Sequence, residues 1–352
     1  MTVASILLSA NESSPGLAEA AVREAMSIAG LHCASSVLLL LSPDFSRHAD
    51  AAVRAAARSA GCTQVFGSIA AGLCNETGWA LDRPSVAAMV FGGRLSLAAR
   101  AHASDEPLLC FSATSLPATQ AAGRRFGLHY HGTGGQGAVW QQGRTVSARK
   151  AEVSIAGATP DFVHSPGLSP VGSALQVDAV RGYDLLTLGR RSALDSLLRL
   201  LPDDWCSRQP LPIHLITALI DRADGSSCRA SLISANNDGS VTLTESLQSG
   251  DIVGWALRMP AYAELETRER LAATASDRPA FAVFLSCIGR GPYFYGSDDR
   301  DLAALCERFP GMPVIGAYGT GQIVPESDGS RQQQNSVIIA LYRETPHVQS
   351  ES

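Results

Sequence analysis

The apolar positions of this chain gather into short runs at its two ends, and both ends predict the same series of elements. Val3–Leu8 reads as a first strand. Ser13-Ser14-Pro15 opens a helix, a capping serine followed by proline in the first turn, and apolar residues recur until Gly30 stops it. Residues 35–41 run from two serines into Val37 and four consecutive leucines, the pattern of a strand buried on both faces. An Ala/Arg helix over 46–60 ends at Gly61, a short strand at 64–66 runs into Gly67, and 85–91 is a strand again. Near the other end, 280–285 is an apolar strand and 298–309 a helix with acidic residues in its first turn, where the helix dipole favours them. Val314 and Ile315 form a short strand running into Gly316, and 336–342 is the last strand.

The junctions match as well. Gly67-Ser68-Ile69-Ala70-Ala71-Gly72 aligns with Gly316-Ala317-Tyr318-Gly319-Thr320-Gly321, each read as a G-x4-G loop after a strand, and each followed 13 or 15 residues later by Ser-Val and an apolar strand. Shared element order together with shared loop spacing argues for an internal duplication, at a separation of roughly 250 residues that fits two domains rather than a solenoid. Right-handed crossovers would make strands 35–41 and 64–67 parallel, and likewise 280–286 and 313–316. The expected fold class is α/β (mixed α+β): two pseudo-repeated domains with mixed sheets flanked by helices.

The stretch between is rich in strands. Residues 126–130, 138–141, 151–156 and 175–180 read as antiparallel strands between Gly/Pro turns, followed by an amphipathic helix over 192–201 and further strands near 213–219, 229–234 and 240–244. Residues 202–212, with three prolines and two adjacent aspartates, are the best linker candidate. This places the domains at 1–204 and 205–352.

Composition narrows the class without naming it. Hydrophobic residues make up 45% and charged residues 17% of the 352, an ordinary globular balance. The net charge of −5 carries no basic run, so nothing points to nucleic acid. The apolar runs are too short for a signal-peptide core or a membrane span, which predicts a cytoplasmic protein with no membrane partner. Eight cysteines are scattered without CxxC or zinc spacing, so free thiols are expected rather than disulfides or a metal site.

Several motifs have a chemical and a plain reading. Gly132, Gly134 and Gly137 spell G-x-G-x-x-G, but a dinucleotide site needs a helix after them, and the sequence continues as strand; a glycine-rich hairpin is the better reading. His129 and His131 alternate on a strand and share a face, which could hold a metal or haem or could be a polar strand face. The Ser286–Gly291 segment sits where a buried strand ends, the usual place for ligands in α/β sheets. There Arg290 could grip a carboxylate or phosphate, and its charge could activate Cys287; otherwise the pair is a core thiol and a loop brace. Paired carboxylates such as Asp298-Asp299 fall at helix starts, where capping explains them. G-x-S-x-G, Walker, HExxH and EF-hand patterns do not occur, and no residue is assigned a catalytic role.

These residues resemble a known family. Phe284-Leu285-Ser286-Cys287-Ile288-Gly289-Arg290 followed by Gly316–Ile323 is similar to the C-terminal domain of FIST proteins; Gly67–Gly72 ahead of Ser85-Val86-Ala87, and Leu188–Leu194, resemble the N-terminal FIST domain. The resemblance implies a small-molecule-binding sensory protein of bacterial signalling, with haem-linked nitric oxide sensing as an alternative cofactor-dependent role; the strand-end reading of Cys287 leaves an enzyme using that thiol as a second alternative. Gln322 departs from the family's usual glutamate and Ser192 from its usual proline. No kinase, cyclase or chemoreceptor module is fused here, so the output is expected to pass through a partner signalling protein. The expected site is a cleft between the two domains where strand ends converge: Cys287, Arg290, Gly316, Tyr318, Gly319, Gly321 and Gln322, with Gly67, Ser68 and Gly72 as a second loop. Arg290 would neutralise an acidic group on the ligand.

Overall fold

The computed structural model describes residues 2–99, 107–114, 123–132, 137–208, 210–275, 278–326 and 329–345. The chain forms two compact units: residues 1–166 with 266–352, and residues 167–265. The boundary expected at 204/205 falls inside the second unit. So does the supposed linker, where Trp205 joins a buried core in place of an exposed tether. Apolar burial outweighed the prolines as a guide there.

Among the described residues the first unit contains three six-stranded sheets. One runs in the order Val3–Ser9, Ser85–Phe91, Ser36–Leu41, Val65–Ile69, Val139–Gln141, Arg144–Thr145. A second runs Ala158–Ser165, Val337–Glu344, Phe281–Cys287, Val314–Gly319, Gly72–Asn75, Gly78–Leu81. Strand for strand the two sheets have the same directions: antiparallel, antiparallel, parallel, antiparallel, antiparallel. Ser36–Leu41 and Val65–Ile69 are parallel, as are Phe281–Cys287 and Val314–Gly319. The hairpin Gly72–Leu81, which follows the first parallel pair in sequence, adds to the edge of the second sheet, with Gly72 opposite Tyr318.

The two sheets face each other. Leu38, Leu40, Phe66, Met89 and Phe91 from one share a buried cluster with Phe281, Val283, Leu285, Ile315 and Tyr342 from the other. Phe91 and Phe281 meet edge-on at 5.3 Å, and Phe281 stacks on Tyr342 at 4.7 Å. The alternate residues of each strand point outward. Val37, Leu39 and Leu41 pack on helices Pro15–Ala29 and Ala49–Ala60. Ala282 and Phe284 pack on helix Arg300–Arg308. The result is helix, sheet, sheet, helix, which accounts for strands such as Ser36–Leu41 that are buried at every position. Helices Pro15–Ala29 and Ala49–Ala60 both end at glycines in the left-handed region, Gly30 and Gly61.

The third sheet runs Gly329–Gln333, Gly321–Glu326, Arg125–His129, Leu108–Ser112, Lys150–Ala156, Ser96–Ala98. The second unit is an antiparallel sheet that closes on itself. Leu168–Arg181 pairs with Ile252–Arg258 along its first half and with Asp184–Leu188 along its second. Strands Ile216–Asp221, Ser227–Ala235 and Val241–Leu243 complete the circuit. Closure removes the open edges a flat sheet would leave, and Leu185, Ala218, Val241, Trp255 and Leu257 fill the interior.

Candidate ligand site

Cys287 and Gly319 are register partners at the carboxyl ends of two parallel strands. The chain turns at Thr320 and returns as Gly321–Glu326, which pairs with Arg125–His129. Strand end, turn and return thus bring together Cys287, Gly319, Gly321 and Gln322, as the sequence predicts. Two residues that the sequence did not single out complete the cluster. Ser336 donates its hydroxyl to Gln322 Oε1 at 3.2 Å, and its carbonyl accepts from the Cys287 amide at 3.2 Å. Cys287 Sγ donates to Asn335 Oδ1 at 3.7 Å. Gly289 and Thr320 flank the cluster and are exposed.

Gln322 is fully buried, and its Nε2 has no hydrogen-bond partner among the described residues. A buried amide donor left without an acceptor costs about 1–3 kcal/mol. His129 Nδ1 is in the same position. Gly321 opposes His129 and Gln322 opposes Leu128, however, so the two side chains point to opposite faces of their sheet. His131 lies beyond the strand, which ends at His129, and its Nδ1 is 3.0 Å from the Ala113 carbonyl. The expectation of two histidines on one strand face therefore does not hold. Burial, and then the charge of His131, holds the His129 imidazole below its usual pKa, so it is neutral at neutral pH.

The structure departs from the expectation most clearly at Arg290. Its side chain is 2% exposed, and its donor fork is taken up by the protein. Nε donates to Asp301 Oδ2 at 2.9 Å, Nη1 to the Ser165 carbonyl at 2.8 Å, and Nη2 to Ser165 Oγ at 2.8 Å, Thr267 Oγ1 at 3.1 Å and Asp301 Oδ1 at 3.1 Å. The arginine ties the strand-end loop to three other segments. Tyr318 is likewise interior: it is fully buried and donates its hydroxyl to Asp299 Oδ2 at 2.7 Å.

The glycines serve close packing instead of opening space. A Cβ on Gly319 would lie 2.5 Å from the His129 carbonyl oxygen, and one on Gly67 would lie 1.8 Å from that of Leu39. Gly72 and Gly316 are filled in the same way, by Leu81 and Cys74. Gly67 and Ser68 belong to strand Val65–Ile69, and Gly316–Gly319 to strand Val314–Gly319, so both strands run on past the glycines at which the sequence pattern starts a loop. Gly134 lies outside the described residues. After Gly137 the chain enters strand Val139–Gln141, and no helix follows to receive a pyrophosphate.

Behind the cluster, Asp299 caps helix Arg300–Arg308, accepting from the amides of Asp301 and Leu302. Burial, and then the neighbouring Asp301 charge, push its carboxyl up to about 7. Its unfolded value is near 3.9. The folded value is the higher one, so the stabilising contribution is complete below about pH 4 and is lost as pH rises to about 7. Asp299→Asn mimics the neutral acid. We expect the stability of the wild type relative to this variant to fall between pH 4 and 7 and to level off above that. Urea unfolding across that range checks it, and parallel pH profiles for the two proteins would contradict it.

Among the described residues no group of three or more His, Cys, Asp or Glu side chains is placed to hold a metal ion, and no helix is long and apolar enough to cross a membrane. Residues 193–325 match the family model described as the FIST C domain, a stretch that includes Cys287, Arg290 and Gly316–Gln322. Over that stretch the chain is similar to the FIST C domain. An uncharacterized protein of Mycobacterium bovis is 27% identical over 191 residues, 51% of this chain and 50% of that protein. An uncharacterized protein of Mycobacterium tuberculosis is 26% identical over 201 residues, 54% and 52% of the two chains. The chain spans about half the length of the curated relatives it matches.

Proposed function

We propose that this FIST-domain chain is a cytoplasmic sensory protein that binds a small molecule at the strand-end cluster of Cys287, Gln322, Asn335 and Ser336, and passes the signal to a partner protein. The observation that carries this reading is the buried Gln322 amide, whose Nε2 lacks an acceptor among the described residues beside exposed Gly289 and Thr320. A carbonyl or carboxylate oxygen on the ligand would supply that acceptor. Arg290 then acts as a positioning residue that holds the loop after Cys287, and the ligand's acidic group, if it has one, meets the amide instead of the guanidinium. The matching strand orders of the two facing sheets support an origin by duplication.

The test is calorimetry with the small molecule that co-purifies from cells. Gln322→Ala should weaken binding roughly tenfold or more. Gln322→Glu, which removes the donor and adds a negative charge, should weaken an oxygen-presenting ligand further and would strengthen a cationic one. Equal affinity in all three proteins would remove this site.

A haem-linked reading has one observation in its favour, the buried, neutral His129 imidazole with an unpartnered Nδ1 among the described residues. A Soret band on adding haem to the purified protein, abolished in His129→Ala, would favour it over the reading above.

A further inference from the structure

Two cysteines that play no part in the site lie in neighbouring turns at the far end of the first sheet, Cys33 touching the residue before Cys62. Cys33 sits in the turn between helix Pro15–Ala29 and strand Ser36–Leu41, and Cys62 follows Gly61, the residue that ends helix Ala49–Ala60. Before the parallel pair Val37–Val65, the backbone contact continues into both turns with a one-residue slip: the Val37 amide donates to the Gln64 carbonyl at 2.8 Å and the Ala34 amide to the Ala60 carbonyl at 3.0 Å. Residues 33–34 therefore run alongside 60–62. Cys33 Sγ donates to the Gly61 carbonyl at 3.4 Å and lies 3.1 Å from where a Gly61 Cβ would be, against the residue bonded to Cys62. Paired strands lie about 4.8 Å apart. A disulfide spans Cα atoms about 4.4–6.8 Å apart. Directly opposite positions in such a pair meet that requirement, and the contact of Cys33 Sγ with Gly61 brings the thiol to the residue next to Cys62. Cys33 is exposed and Cys62 half-buried, so an oxidant reaches the first before the second.

We infer that Cys33 and Cys62 form a reversible disulfide when the protein meets a peroxide. The Cys33 thiolate attacks one oxygen of hydrogen peroxide, giving the sulfenic acid and hydroxide, which takes up the thiol's proton as water. The Cys62 thiolate then attacks the sulfenic sulfur. The S–S bond forms, and the hydroxyl leaves with the Cys62 proton as a second water. Two thiols are oxidised and one peroxide is reduced to two waters. The link would tie the turn after the first helix to the turn after the second, on the outer side of the sheet whose other face packs in the core.

The experiment uses the full chain carrying Cys206→Ser, which removes another exposed thiol. It is treated with hydrogen peroxide, blocked with an alkylating agent, digested without reduction and analysed by tandem mass spectrometry. The expected result is a peptide pair joined through Cys33 and Cys62, absent after dithiothreitol. In Cys62→Ala, Cys33 should stop at sulfenic or sulfinic acid; in Cys33→Ser, Cys62 should remain an alkylated thiol. The inference is overturned if Cys62 is alkylated in the treated parent while Cys33 carries a sulfinic acid or links two chains. It is also overturned if Cys62 joins Cys74 in place of Cys33.

Discussion

Replacing Arg290 by alanine is expected to destabilise the protein by about 3–5 kcal/mol, the cost of leaving one partner of a buried pair without the other. Asp301 has no exposed surface, and with the guanidinium gone its carboxylate keeps Thr267 as a hydroxyl donor at 2.6 Å. The Ser165 carbonyl and hydroxyl lose their donors at the same time. Asp301→Ala should cost a similar amount, because it strands the guanidinium instead. The two losses should not add: Arg290→Met combined with Asp301→Leu should fall well short of their sum, since no charge remains buried alone. Urea unfolding of the four proteins decides it. A loss below about 1 kcal/mol for Arg290→Ala would mean the fork is solvated, and would return Arg290 to the ligand.

The second large effect is expected at Phe281. Its ring is fully buried between Phe91 and Tyr342, at the meeting of the two facing sheets. Phe281→Ala removes that ring from a core closed on both sides by strands, which leaves little freedom to collapse, so a loss of about 3–5 kcal/mol is expected. Ile28, 61% exposed on helix Pro15–Ala29, is the control: Ile28→Ala should stay within about 0.5 kcal/mol. Equal, small effects at both positions would mean that the two sheets do not share a core.

What could be read from the sequence follows from how local each signal is. The buried strand Ser36–Leu41 and the glycine stops at Gly30 and Gly61 are written in adjacent residues and were legible. So was the convergence of Cys287 with Gly319, because a strand–helix–strand crossover leaves few alternatives. The partners of Arg290 were not: Ser165 is 125 residues away and Thr267 is 23, and only Asp301, two positions past the capping Asp299, gave a local hint. Nor was the route of hairpin Gly72–Leu81, which leaves the strand before it and joins the other sheet. Nothing in its residues distinguishes one sheet edge from another. The glycines misled for a physical reason. A missing side chain admits a neighbouring backbone as readily as a ligand, and here a carbonyl of Leu39 or of His129 takes the space.

In the proposed function, Gln322 offers a buried donor to a small molecule. Native mass spectrometry of the protein as isolated tests it most directly. One added small molecule per chain that carries a carbonyl or carboxylate oxygen is expected, and its loss in Gln322→Ala while that variant unfolds at no lower a urea concentration than the wild type. A mass equal to that of the chain alone in both proteins, or an adduct retained unchanged by Gln322→Ala, would contradict it.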